Sequence, residues 1–106
     1  MSRVSEREFT VQVIRLAQLH GWAVAHFRPA RTAKGGWRTP VQGDGAGFPD
    51  MVLVRAGVIL FVELKCPPNR LTALQSGWLG LLQDTGLYAR VWSPADWDHI
   101  EEVLRG

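Results

Sequence analysis

A chain of 106 residues with 46% hydrophobic content is the size of one ordinary domain and can bury one modest core. Its formal charge is only +2 although its pI is near 9.2, so a polyanion partner has to be met by a local basic patch and not by global charge. A single cysteine, Cys66, excludes an internal disulfide, the histidines His20, His26 and His99 are too scattered to build a zinc site with it, and no run of about 18 apolar residues is present.

Met1 to Arg15 carries charges where a signal peptide needs an apolar stretch, so a soluble, unprocessed protein of a reducing cytoplasm is expected. From Glu6 to His20, apolar residues recur at helical spacing, with Phe9, Val13, Leu16 and Ala17 on one stripe and Arg7, Arg15 and Gln18 largely off it. Ser5 followed three residues later by Glu8 is a capping-box pattern, and Gly21 supplies the stop. Trp22 to Phe27 reads as a first strand.

The segment from Arg28 to Gly47 is rich in glycine and carries Arg28, Arg31, Lys34 and Arg38 with no acid before Asp44. A long loop without secondary structure of its own is expected, serving either as a ligand-contact segment or as a flexible hinge. Its "GDGAG" run leads into a strand, whereas phosphate-binding glycine loops open a helix, so nucleotide-fold readings are rejected.

Two apolar strands follow, Asp50 to Arg55 and Val58 to Lys65. Both are apolar on both faces, which suits the middle of a sheet covered by helices on each side. After "CPPN" comes a helix from about Ala73 to Thr85, its apolar face assigned to Leu74, Trp78, Leu81 and Leu82, with Gly86 as the stop. A last strand spans Leu87 to Trp92. "SPADWDHIEEVL" closes the chain as a helix with Ser93 as N-cap, Pro94 at the first helical position and Asp96 three residues beyond the cap. The order is helix, three strands, helix, strand, helix, an α/β arrangement with a central mixed sheet flanked by helices.

If Ala56 and Gly57 form a two-residue turn, paired residues have numbers summing to 113 and Asp50 faces Glu63. Directly opposed residues share a face with Cβ atoms about 4.5 to 5.5 Å apart, and Lys65 projects from that face too. A three-residue turn bulged at Gly57 would instead move Glu63 to the opposite face. Two carboxylates at about 5 Å repel by roughly 3 kcal/mol at an effective dielectric of 20. A divalent cation offsets this; magnesium takes one or two carboxylates plus waters and leaves room for phosphate oxygens. Lys65 would then steer the attacking water or offset transition-state charge. A Glu-x-Lys pair taken alone is more often a surface salt bridge.

The string "PD", a hairpin and "ELK" resemble the PD-(D/E)XK nuclease superfamily, and "GFPDMVLVR…VILFVELK…LTALQSGWL…G…ARVWSPADW" resembles its VRR-NUC branch along nearly the whole chain. The resemblance implies a restriction-endonuclease-like core and metal-dependent DNA cleavage, with stand-alone members often acting as homodimers on branched DNA such as Holliday junctions, in a bacterial or phage-infected cell. By position it makes Asp50 and Glu63 metal ligands, the Leu64 carbonyl a further ligand and Lys65 the catalytic lysine. It also calls for a glutamate in the first helix, for which Glu6 faces the sheet and Glu8 points away into the cap; Glu6 is the choice. Gln75 matches a site glutamine, but Thr72 with Gln75 makes another capping box, and one side chain is not expected to serve both roles.

Arg28, Arg31, Lys34 and Arg38 are candidate phosphate contacts, with Trp37 among them as a base-stacking candidate; a solvated loop is the plainer alternative. His26 lies near the end of the first strand, from where it could approach the site, though a lone histidine is more often structural. Trp22, Trp78, Trp92 and Trp97 fit core or dimer packing. The expected function is a Mg2+- or Mn2+-dependent DNA endonuclease. The alternatives are a non-catalytic nucleic-acid-binding module and an accessory of a replication or repair complex.

Overall fold

The computed structural model describes residues 4–27, 30–31, 35, 37–38 and 41–106. The first helix, α1, spans Glu6–Leu19, with the Ser5 hydroxyl accepting the Glu8 amide at 3.0 Å and donating to the Glu8 carboxylate at 3.2 Å. It ends at Gly21, whose φ of +85° lets the Gly21 and Trp22 amides turn back to the Gln18 and Ala17 carbonyls. Phe9, Val13 and Ala17 form its buried stripe, as the helical spacing predicts.

Four strands make the main sheet: β1 (Ala23–His26), β4 (Met51–Arg55), β5 (Val58–Leu64) and β6 (Tyr88–Trp92), in spatial order β1-β4-β5-β6. The first two pairings are antiparallel, and β5 with β6 is parallel, the connection running through α2 (Ala73–Asp84). The sheet is therefore mixed and flanked by helices. Between β1 and β4 lie two short paired strands, β2 (Ala30–Arg31) and β3 (Trp37–Arg38), where an unstructured loop was expected. Two-residue strands are too short for alternation to mark them in the sequence.

The β4–β5 register is the one required by a two-residue turn: Arg55 faces Val58, Val54 faces Ile59 and Met51 faces Val62. Ala56 and Gly57 both have positive φ, 47° and 83°, as a twist-matched hairpin turn demands. On one face of the hairpin Met51, Leu53, Leu60, Val62 and Leu64 are buried with Phe9, Val13, Trp22, Ile100 and Leu104, forming the core with α1 and the last helix. Burying each large side chain of this set contributes about 1.5–3 kcal/mol. The opposite face is covered only in part. The second helix packs on β6, and Val54 remains 44% exposed, so the expectation of helices over both faces of the hairpin holds fully for one face alone.

Thr72 caps α2, and the Leu87 and Gly86 amides close its far end on the Leu82 and Gln83 carbonyls. The inward side of α2 carries Gln75, Leu79 and Leu82, whereas Leu74 and Leu81 are each 62% exposed. This corrects the apolar face assigned from spacing, and the reason is the docking direction of the helix: it turns toward β6 and the end of β5, placing Gln75 and not Leu74 on the sheet. After β6, Pro94–Asp96 form a 3-10 turn, and α3 begins only at Trp97 and runs to Arg105. The Asp96 carboxylate accepts both the Ser93 amide and the Ser93 hydroxyl, which completes the predicted cap on a tighter first turn.

Candidate active site

The site forms where β4 begins and β5 ends, on the face toward α2. Pro49 is fully buried, and the Asp50 carbonyl accepts the Phe27 amide at 2.8 Å, so the start of β4 is tied to the end of β1. Asp50 lies one step beyond the last ladder pair and beside Glu63: its amide donates to Glu63 Oε1 at 3.3 Å, and its Oδ2 accepts the Leu64 amide at 3.4 Å. Its other oxygen, Oδ1, is buried with no hydrogen-bond partner. Leaving a buried polar oxygen unmatched costs about 1–3 kcal/mol, so the position favours a cationic or protic partner.

Glu63 is 4% exposed although it is ionisable. Burial, reinforced by the hydrogen bond and charge of Asp50, pushes its carboxyl up to about 8 against an opposing pull from Lys65. Lys65 Nζ lies 3.8 Å from Glu63 Oε2, and the same oxygen accepts the Gln75 side-chain amide at 3.1 Å.

Gln75 also keeps its capping role. Its Oε1 accepts the Thr72 backbone N–H at 2.9 Å while its Nε2 reaches Glu63, so the two functions use opposite ends of one amide and do not compete. The helix start is held there by a close backbone approach: a Cβ added at Gly47 would lie 2.6 Å from the Leu74 Cβ and carbonyl carbon and 2.9 Å from the Gln75 nitrogen. Trp78 donates its indole N–H to the Asp44 carbonyl at 2.9 Å, and its ring stacks edge-on with Phe48, with centroids 5.1 Å apart. The segment leading to Asp50 is thereby clamped against α2.

Asp50, Glu63, Lys65 and Gln75 are brought together. Glu6 stands apart: it is half-buried at the start of α1 and its Oε2 accepts Asn69 Nδ2 at 3.1 Å, while Glu8 is exposed in the cap. Burial first, and then the charge of Glu6, raises the Cys66 thiol. Among the described residues no three His, Cys, Asp or Glu side chains gather closely enough to hold a metal without help from backbone or water. The donors at hand are Asp50 and Glu63, hard oxygens suited to a small divalent cation, and the unmatched Asp50 Oδ1 fits that role. His26 pairs with Met51, next to Asp50. Arg28 and Lys34 lie outside the described residues, and Arg31, Trp37 and Arg38 are described only as backbone in β2 and β3. Asn69 was missed from the sequence, where a single asparagine after two prolines looks like any turn residue.

Among the described residues no helix is long and apolar enough to cross a membrane. No curated protein and no solved structure matches the chain. The family model described as VRR-NUC domain matches residues 6–94, from the first helix through the last sheet strand. With that match over most of its length, and with the carboxylate pair, lysine and mixed sheet in place, the chain belongs to the VRR-NUC family and is a nuclease domain.

Proposed function

We propose that this nuclease is a Mg2+- or Mn2+-dependent endodeoxyribonuclease that hydrolyses phosphodiester bonds at the edge formed by Asp50, Glu63 and Lys65. The observation that carries the reading is the buried Asp50 Oδ1 left without a partner beside a second buried carboxylate and a lysine. Asp50 and Glu63, with the Leu64 carbonyl, would hold the cation. Glu6, whose Oε2 accepts Asn69 Nδ2, stands apart from this pair and would have to swing toward it to serve as a further ligand. When bound, such an ion offsets charge on the phosphoryl oxygens and lowers the pKa of water.

The protein's own groups do the rest. Lys65 sets a positive charge beside the carboxylates, where it steers the attacking water and offsets negative charge as it builds on the phosphate. Gln75 holds Glu63 facing the site. A water gives up a proton as its oxygen bonds to phosphorus, one P–O ester bond breaks, and the leaving oxygen takes up a proton.

A domain of 106 residues covers little of a duplex, so a homodimer carrying two sites, acting on branched DNA such as a junction, is the form we favour. The four cations between β1 and β4 in the sequence, Arg28, Arg31, Lys34 and Arg38, would add salt-dependent affinity for phosphates. A single cysteine fits a cytoplasmic setting.

The test is incubation of labelled junction, flap and linear DNA with Mg2+ or Mn2+, alongside an Asp50→Asn control and sedimentation of the protein. Cleavage of the junction by the wild type alone supports the reading. Equal cleavage by the control would remove it, and a monomer at working concentration would remove the dimer.

A further inference from the structure

The hydrogen bonds around Gln75 form a chain with a direction. Thr72 Oγ1 accepts the Gln75 backbone N–H at 3.2 Å, and the Thr72 backbone N–H donates to Gln75 Oε1 at 2.9 Å. The amide oxygen is thus taken by a donor, which leaves only the NH2 end to face Glu63 Oε2 at 3.1 Å. Glu63 Oε1 meanwhile accepts the Asp50 amide at 3.3 Å. With each oxygen held from a different side, the carboxylate cannot rotate without breaking one of these bonds.

We propose that Thr72, an exposed helix cap, is a positioning residue for the metal site, acting through Gln75 on the orientation of Glu63. The inference rests on the reading that Asp50 and Glu63 hold a divalent cation. Groups that orient a metal ligand from behind change metal affinity about 10- to 100-fold when removed. The Gly47 contact keeps the first turn of α2 where this relay needs it, since the backbone there has no room to slide toward the loop.

The test is calorimetric titration of Mn2+ into the wild type, Thr72→Val, Thr72→Ser, Gln75→Met and the Thr72→Val/Gln75→Met double variant, with melting curves of each metal-free protein. Gln75→Met should weaken Mn2+ binding about tenfold. Thr72→Val should weaken it by a smaller factor, Thr72→Ser should retain the wild-type affinity, and the double variant should bind no more weakly than Gln75→Met. A Thr72→Val protein that melts earlier yet binds Mn2+ as tightly as the wild type would overturn the inference, because the cap would then serve only the helix. So would an equal loss from Thr72→Val in the presence and absence of Gln75. A wild type that binds no Mn2+ would remove the metal site itself, and with it any role of Thr72 toward it.

Discussion

Asp50 and Glu63 interlock across the end of the hairpin: the Asp50 amide binds a Glu63 oxygen at 3.3 Å, and the Leu64 amide, one residue after Glu63, binds an Asp50 oxygen at 3.4 Å. Each carboxylate is held by backbone of the other strand. Their closeness is therefore built into the ladder and does not depend on a bound ion, so the metal-free protein has to accommodate two acids side by side. Burial and the neighbouring Asp50 raise the Glu63 carboxyl to about 8 against the pull of Lys65, which favours its protonated form in the metal-free protein.

This proton makes the stability of the metal-free protein depend on pH. The folded value is raised above the reference of 4.5, so the contribution of Glu63 is fully present below about 4.5 and is lost as pH rises toward about 8. The slope in that window should approach 1.4 kcal/mol per pH unit at most. Urea unfolding in EDTA at several pH values, wild type minus Glu63→Gln, should show the decline, and parallel curves would contradict it.

Cation binding should expel the same proton. Below about pH 8, Mn2+ affinity should rise by up to about tenfold per pH unit and then level off. Titrations in buffers of different ionisation enthalpy should report the release of about one proton per ion at pH 7. A binding heat independent of buffer would show that Glu63 is already ionised.

Lys65→Met should separate chemistry from binding. The side chain is 17% exposed and sits 3.8 Å from Glu63 Oε2, so its removal takes a positive charge away from Glu63, one of the two proposed ligands. Cleavage should fall roughly 10²- to 10⁴-fold, the usual worth of a positioned proton-transfer group, while Mn2+ affinity is unchanged or tighter. A loss of Mn2+ binding in this variant would mean that Lys65 has a structural role.

Gly47→Ala and Gly57→Ala should differ although both glycines have positive φ, 86° and 83°. At Gly57 nothing lies within 4 Å of an added Cβ, so only backbone strain of about 1–2 kcal/mol is expected. At Gly47 the methyl would meet Leu74 at 2.6 Å, which adds an overpacking cost of about 1–3 kcal/mol. Melting curves measure the difference, and only the Gly47 variant should also lose Mn2+ affinity.

The hairpin register was legible because the turn is two residues long and side chains alternate strictly, so placing Ala56 and Gly57 fixes Asp50 against Glu63. The apolar stripe of α1 was legible for a similar reason. The face of α2 was not: Leu74 and Leu81 satisfy helical spacing yet face solvent, and only the docking of the helix on β6 shows that Gln75 and Leu79 face in. The double use of Gln75 was hidden because spacing reveals a capping partner but not the far end of its amide. No sequence signal marked the contact between Asn69 and Glu6, whose residues are 63 positions apart.

The carbonyl of Leu104 gathers the Trp22 indole at 2.8 Å and the Arg55 guanidinium at 2.9 Å, and Arg55 also reaches the His20 carbonyl at 3.0 Å. Ile100 and Leu104 are wholly buried in the main core. These anchors sit past residue 94, where the family match stops. Trimming the chain to the matched region would strand an indole and a guanidinium at the turn end of the hairpin and open a hole beneath its strands, so the smallest unit able to present the two acids extends through α3.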